Sequence, residues 1–543
     1  MHKRMLGVYS FILLLFMSNI LRIYHIINIS GVAAASDIKG RYSLDVVKTR
    51  GMIYDRNMTE LVGADYAYVA AVMPTIQAAA ALMPLAQSEE ERQSLEAKLR
   101  ENMPFIMPVE NNNIYAYGVD IFKKSYRYTE KQIAPHVLGY LSGDGLRGVA
   151  GIEKAYDEFL DKNGTEIKVK YQTDAVGHFM KGAYTDVEKL GADDTKAGVV
   201  LTLDREVQEI AENAVKSGCD SGAVVVMDIF SGDILAMVSI PDFDQNNISA
   251  SFERNDAPFI NRAASGYNIG SVFKVIVSAA ALEYGVPESF GHYCNGSIEI
   301  GGRMFNCNNN TVHGTVDMEQ ALKVSCNTYF ITLAKEIPSE HLSLMAKNMG
   351  LGAFIELAPG MFTQSGNIPD NTELANELAY ANFSFGQGSS LASPLQISQA
   401  VAAIANSGMT VIPRLVKGFT LDGVELAEQV PVYTPNRIMR ESTAQKTKSL
   451  MEVVVEEGSG KPAKPFYGGA GGKTSSAQTG QIVDGNEIVH AWFAGFYPAK
   501  SPRYSITVFV EGGESGERVA APIFRQIADG ISNIAAEESQ AGK

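Results

Sequence analysis

Gly270-Ser271-Val272-Phe273-Lys274-Val275-Ile276-Val277-Ser278-Ala279-Ala280-Ala281-Leu282 is the stretch on which the fold turns. From Ser271 onward it is apolar enough for a buried helix, and Gly270 permits a sharp turn into it. Residues three apart share a helix face, so Lys274 can reach the Ser271 hydroxyl. Burial disfavours the ammonium form of a lysine. Lowering its pKa from about 10.4 to 7–8 corresponds to about 4 kcal/mol and yields a usable general base. The plainer alternative is a lysine extending from a core helix toward solvent. Ser36-Asp37-Ile38-Lys39 repeats the spacing in a polar stretch, where no buried helix could lower a pKa.

The 543 residues exceed one core and predict two or three domains. With 46% apolar and 20% charged residues most of the chain should fold, and the net charge of −15 argues against a nucleic-acid partner. Four cysteines do not make a disulfide scaffold. Cys294 and Cys307, close together in a Gly- and Asn-rich segment, would allow one bridge in an exported domain. Cys219 and Cys326 read as small buried residues, and no cysteine spacing resembles a metal site.

His2-Lys3-Arg4 precedes an uncharged run from Met5 to Leu21, which Ile23 to Ile27 could extend past Arg22. Basic residues hold that end in the cytoplasm, predicting a single-pass anchor over residues 1–28 with the remainder extracellular. Cleavage after Ala33-Ala34-Ala35 is the rival reading. Residues 29–195 read as a strand-rich mixed domain with one polar helix, Ser88 to Glu101, and an amphipathic helix from Gly148 to Leu160. A boundary falls near Gly191 to Gly198. Residues 196–543 then run from a strand at Val199 to Leu203 and a helix capped by Asp204 to the hairpin of Gly222 to Asp228 and Ile234 to Val238. A helical middle follows, then strands at Ile488 to Tyr497 and Tyr504 to Glu511, and a last helix from Ala521 to Ile534. Strands at both ends of a helical middle predict an α+β domain.

Two later segments bear on Ser271. Ser325-Cys326-Asn327 lies between the helix Met318 to Lys323 and one starting at Thr328, where a loop can aim a hydroxyl and an amide into a cleft. Simple capping is the alternative, and Ser365-Gly366-Asn367 matches the pattern equally well. Gly471-Gly472-Lys473-Thr474-Ser475-Ser476 combines glycines that let a strand approach a ligand with a fixed positive charge and carboxylate-binding hydroxyls.

Ser-x-x-Lys, Ser-x-Asn and a Lys-Thr-Gly-like element in this order resemble the signature of penicillin-binding proteins and serine β-lactamases. Spacings of 54 residues from Ser271 to Ser325 and 148 from Ser325 to Lys473 suit that family. Tyr267-Asn268-Ile269-Gly270, Phe385-Gly386-Gln387-Gly388, Ser393-Pro394-Leu395-Gln396, Ile404-Ala405-Asn406-Ser407-Gly408 and Ala491-Trp492-Phe493-Ala494-Gly495 resemble further family segments. Arg50-Gly51 through Asn57 and Gly148 through Glu153 resemble the pedestal of the class B enzymes, and Cys294 and Cys307 a cysteine pair found at this place in many members. Ile269 stands where the family has proline, Cys326 at a variable position, and Ser475 where the third motif has glycine, which would narrow the substrate edge.

The resemblance implies a membrane-anchored class B protein with a pedestal and a transpeptidase domain, an antiparallel sheet flanked by helices plus an all-helical subdomain. It implies that Ser271 attacks the penultimate D-alanyl carbonyl of a peptidoglycan stem peptide and Lys274 takes the hydroxyl proton. Ser325 would relay a proton to the leaving amine, and Lys473 would keep the local potential positive. Asn327 would bind the substrate backbone, Thr474 and Ser476 the terminal carboxylate, and Ser475 would be a substrate-binding residue of the same strand. The backbone N–H groups of Ser271 and Ser476 would form the oxyanion hole. An amine acceptor then forms the cross-link, β-lactams acylate Ser271, and no metal or other cofactor is expected. A SEDS-family glycosyltransferase and other cell-wall machinery are the implied partners. A serine β-lactamase or β-lactam sensor, and a catalytically dispensable scaffold for a cell-wall polymerase, are the alternatives.

Overall fold

The computed structural model describes residues 2–28, 41–129, 131–143, 145–174, 176–178, 185–191, 196–483 and 485–541. Ala33-Ala34-Ala35 and Ser36 to Lys39 lie outside them. The helix His2–Asn28 contains 19 residues, Gly7–His25, long and apolar enough to cross a membrane.

Two compact units follow the contacts rather than a single cut near residue 195. The first holds residues 1–50, 63–127 and 163–195, whereas 51–62 and 128–162 belong with 196–543. The reason is strand pairing at long range: Met52–Tyr54 runs parallel to Gly198–Leu201 in one sheet. In the first unit, Arg41–Lys48 pairs with Glu166–Gln172, which pairs with Thr185–Leu190. Tyr66–Val72 pairs with Phe105–Val109 and Val119–Ser125. The polar helix is Glu89–Arg100, started by the Ser88 hydroxyl, which accepts from the Glu91 N–H, and only Leu95 is buried on it. In the second unit, the helix anticipated from Gly148 to Leu160 is instead two short ones, Gly151–Ala155 and Asp157–Lys162, interrupted at Tyr156.

The second unit is built on five antiparallel strands: β1 (Gly222–Asp228), β2 (Ile234–Ile240), β3 (Gly471–Val483), β4 (Asn486–Tyr497) and β5 (Tyr504–Val510). Their order across the sheet is β2-β1-β5-β4-β3. Both faces are buried, so the strands read as apolar runs, and the two-residue period divides each run between two cores. Ala223, Val225 and Met227 of β1 and Trp492, Ala494 and Phe496 of β4 enter one core, whereas Val224, Val226, Ala491, Phe493 and Tyr497 enter the other. The second core is closed by helices α1 (Arg205–Gly218) and α6 (Ala521–Ala541). Asp204 caps α1 by accepting from the Val207 N–H, as the sequence predicts.

The first core holds α2 (Phe273–Tyr284), α3 (Asn327–Ala334), α4 (Pro394–Ala405) and α5 (Glu441–Glu457). Ten consecutive residues of α2, Phe273 to Leu282, are buried. A helix apolar all round belongs inside a core, and this one carries the nucleophile candidate at its start beside β3.

Candidate active site

Ser271 lies half-buried in a single 3-10 turn, Gly270–Val272, that leads into α2. Gly270 has φ +62°, and a Cβ there would collide with Ser475 Oγ and come within 2.9 Å of the Ala477 side chain. Its N–H donates to the Gly386 carbonyl at 2.8 Å. Gly386 is itself at φ +76°, and a Cβ on it would run into the Gly270 carbonyl. Two glycines thus let two turns interlock, which presses Ser271 forward at the helix N-terminus, where backbone N–H groups favour developing negative charge.

Lys274 is fully buried one turn on. Its Nζ donates to the Ser325 carbonyl at 2.8 Å and Asn327 Oδ1 at 2.6 Å, and lies 3.2 Å from Ser325 Oγ. Among the described residues no hydrogen bond joins Nζ to Ser271 Oγ. Burial lowers the Lys274 pKa to about 8, against the smaller raising effects of Cys326 and Cys307. Nζ donates to all three partners, the Ser325 carbonyl, the Ser325 hydroxyl and Asn327 Oδ1, which matches the three N–H groups of the ammonium form. Ser325 is held at φ +58°, a left-handed conformation that costs a serine about 1 kcal/mol. Asn327 Nδ2 donates to the Asn306 carbonyl at 2.8 Å, so the amide is fixed at both ends.

Strand β3 supplies the third element. Lys473 is fully buried and donates to the Thr474 carbonyl at 3.0 Å. Burial and then the neighbouring Lys274 charge push its pKa well below the ordinary lysine range, with Glu517 opposing. The fixed positive charge read from sequence is therefore unfavourable until an anion accompanies it. Thr474 Oγ1 lies 2.8 Å from Ser459 Oγ, and the exposed Ser476 Oγ accepts from the Gly516 N–H at 3.3 Å. Ser475 differs from expectation. Strand alternation turns it away from the exposed edge; it is 2% exposed and donates to the Ile269 carbonyl at 3.0 Å. It therefore bears on the turn behind Ser271 rather than on the substrate edge.

The structure places the three elements side by side, and the look-alike does not join them: Asn367 pairs with Leu391 and donates from Nδ2 to the Ser389 carbonyl. Trp492 is fully buried, and its Nε1–H donates to the Asn268 carbonyl at 3.0 Å. Ser459 and Asn306 carried no sequence signal, since each acts through one hydrogen bond to a distant residue. Cys326, read as a small buried residue, stands 3.8 Å from Cys307, itself 3.7 Å from Cys294, and all are free thiols.

Residues 222–529 match the model of the penicillin-binding protein transpeptidase domain. The chain belongs to that family. It is 29% identical to stage V sporulation protein D of Bacillus subtilis over 97% of this chain and 84% of that one. It is 30% identical to peptidoglycan D,D-transpeptidase PbpA of Mycolicibacterium smegmatis over 76% of this chain and 86% of that one. Among solved structures, penicillin-binding protein 3 of Mycobacterium tuberculosis complexed with aztreonam matches with a TM-score of 0.66 at 23% identity, over 91% of this chain and 97% of that one. That match speaks to the fold alone, as does the one to penicillin-binding protein A of the same organism in its imipenem acyl-enzyme complex, with a TM-score of 0.65 at 22% identity over 89% and 98%.

Proposed function

We propose that the protein is a serine-type peptidoglycan D,D-transpeptidase. Ser271 attacks the penultimate D-alanyl carbonyl of a stem peptide while its proton passes to Lys274. The tetrahedral oxyanion is held by the N–H groups of Ser271 and Ser476, and collapse expels D-alanine, protonated through Ser325 from Lys274. An amine from a second stem peptide then resolves the ester and forms the cross-link, returning the proton by the reverse route. Thr474 and Ser476 hold the terminal carboxylate, with Lys473 taking up its charge, and Asn327 orients the peptide backbone. A β-lactam mimics the donor and leaves Ser271 acylated.

The observation that carries this reading is the wiring of Lys274, a buried amine whose bonds run to Ser325 and Asn327. The relatives named peptidoglycan D,D-transpeptidases support the substrate class. In the cell, Gly7–His25 anchors the chain in the membrane with its N-terminus in the cytoplasm and residues 29–543 outside, beside a SEDS-family glycosyltransferase. Incubating the full chain with un-cross-linked peptidoglycan and a polymerase tests the reading. Muropeptide analysis is expected to show cross-linked dimers and free D-alanine. Hydrolysis of a chromogenic cephalosporin with catalytic turnover and no dimers would replace this reading with a β-lactamase.

A further inference from the structure

Cys294, Cys307, His313 and Cys326 lie 13, 6 and 13 residues apart and come from separate elements. Cys294 ends the strand His292–Cys294, His313 immediately precedes its antiparallel partner Gly314–Val316, Cys307 follows the hairpin strand Arg303–Asn306, and Cys326 lies at the start of α3. Their ligand atoms all fall within 4.8 Å of one another. The three sulfurs are buried and His313 is half-buried.

We propose that these four side chains hold a tetrahedral zinc ion that fixes the Ser325-Cys326-Asn327 segment beside Lys274. Zinc–sulfur bonds of about 2.3 Å and zinc–nitrogen bonds of about 2.0 Å in a tetrahedron place sulfurs about 3.8 Å apart and a sulfur and a nitrogen about 3.5 Å apart. The protein has 3.7 Å from Cys294 to Cys307, 3.8 Å from Cys307 to Cys326, and 3.3 Å from Cys294 Sγ to His313 Nδ1. A disulfide would need about 2.05 Å and would use only two of the three thiols. Three soft thiolates and one imidazole suit zinc, whereas calcium and magnesium take oxygen ligands. Four protein ligands leave no open position, which marks a structural site rather than a catalytic one. Binding releases the three thiol protons to solvent while His313 coordinates as neutral imidazole through Nδ1, so one zinc and three thiolates leave a net charge of −1. Thr328 Oγ1, 3.3 Å from Cys326 Sγ and 3.9 Å from Cys307 Sγ, supplies a hydroxyl to the thiolates from outside the ligand set.

The consequence falls on the active site. Cys326 is bonded covalently to both Ser325 and Asn327, and Asn327 Nδ2 donates to the carbonyl of Asn306, next to Cys307. Zinc would cross-link these segments and hold Ser325 in its left-handed conformation.

The test is the metal content of the full-length chain, purified in detergent under reducing conditions without added metal. About one zinc per chain is expected, released by thiol-specific mercurials. After chelator treatment, Co²⁺ is expected to give the intense visible bands of tetrahedral thiolate coordination, and Zn²⁺, not Mg²⁺, to restore a lowered Tm. Penicillin acylation is expected to fall at least tenfold on zinc removal and to return with Zn²⁺. His313→Asn, which changes the least buried ligand, is expected to lower zinc occupancy. A folded, penicillin-reactive chain that holds no zinc and takes up neither Zn²⁺ nor Co²⁺ would overturn the proposal, as would a Cys294–Cys307 disulfide in freshly isolated protein.

Discussion

The Ser475 hydroxyl donates to the Ile269 carbonyl at 3.0 Å, joining strand β3 to the turn that presents Ser271. These are two of the positions at which the chain departs from the family pattern, and they are each other's partners. Proline would fix φ by its ring, whereas isoleucine leaves it free. Ile269 nonetheless has φ −83°, close to a proline value, with its carbonyl held from the opposite strand.

Ser475→Ala keeps the Cβ and removes only the hydroxyl with its hydrogen bond to the Ile269 carbonyl, at a cost of about 0.5–1.5 kcal/mol. Chemical denaturation is expected to show that loss together with slower penicillin acylation. Ser476→Ala, altering an exposed hydroxyl on the same strand, is expected to leave stability within about 0.5 kcal/mol.

The pKa of Lys274 near 8 gives acylation a definite pH profile. The neutral amine is the base, so the rate is expected to rise about tenfold from pH 7 to pH 9 and then level. Stability shifts in the same direction. The folded value lies below the unfolded 10.5, so between them the unfolded chain binds the extra proton. The stability cost of this burial is greatest below pH 8 and is relieved as pH rises toward 10.5. Stopped-flow acylation and denaturation over that range check both. Lys274→Arg, permanently charged, is expected to abolish acylation.

Burial and the neighbouring Lys274 disfavour the charge on Lys473, and Glu517 opposes them without reversing the direction. Docking a substrate carboxylate changes the balance. Titrating Ser271→Ala protein with benzylpenicillin near pH 7, in buffers of different ionisation enthalpy, is expected to show uptake of up to about one proton. Heats independent of the buffer would contradict this.

Trp492→Phe retains most of the ring bulk but loses the N–H bond to the Asn268 carbonyl, and is expected to cost about 1–3 kcal/mol. Trp492→Ala opens a cavity between sheet and helices and is expected to cost about 3–5 kcal/mol. Denaturant midpoints measure both.

Much of the site was legible because the chemistry-bearing residues sit in local patterns. Ser271 and Lys274 share one helical turn, Ser325 and Asn327 one loop, and Lys473 to Ser476 one strand. The β1–β2 hairpin was legible for the same reason, two apolar runs around Ser231-Gly232-Asp233. What escaped depends on distant pairing. Met52–Tyr54 belongs to the second unit because of Gly198–Leu201, and no local pattern carries that. The inward turn of Ser475 follows from which face of β3 meets Gly270. The gathering of Cys294, Cys307, His313 and Cys326 needs three loops to close, and spacings of 13, 6 and 13 match no compact ligand motif.

The most direct measurement is the intact mass of the full chain after incubation with benzylpenicillin, with peptide mapping of the adduct. A stoichiometric penicilloyl adduct is expected on Ser271 in the wild type, with none in folded Ser271→Ala protein. Undiminished covalent labelling of Ser271→Ala, or an adduct mapped to another residue, would contradict the assignment of Ser271 as the nucleophile.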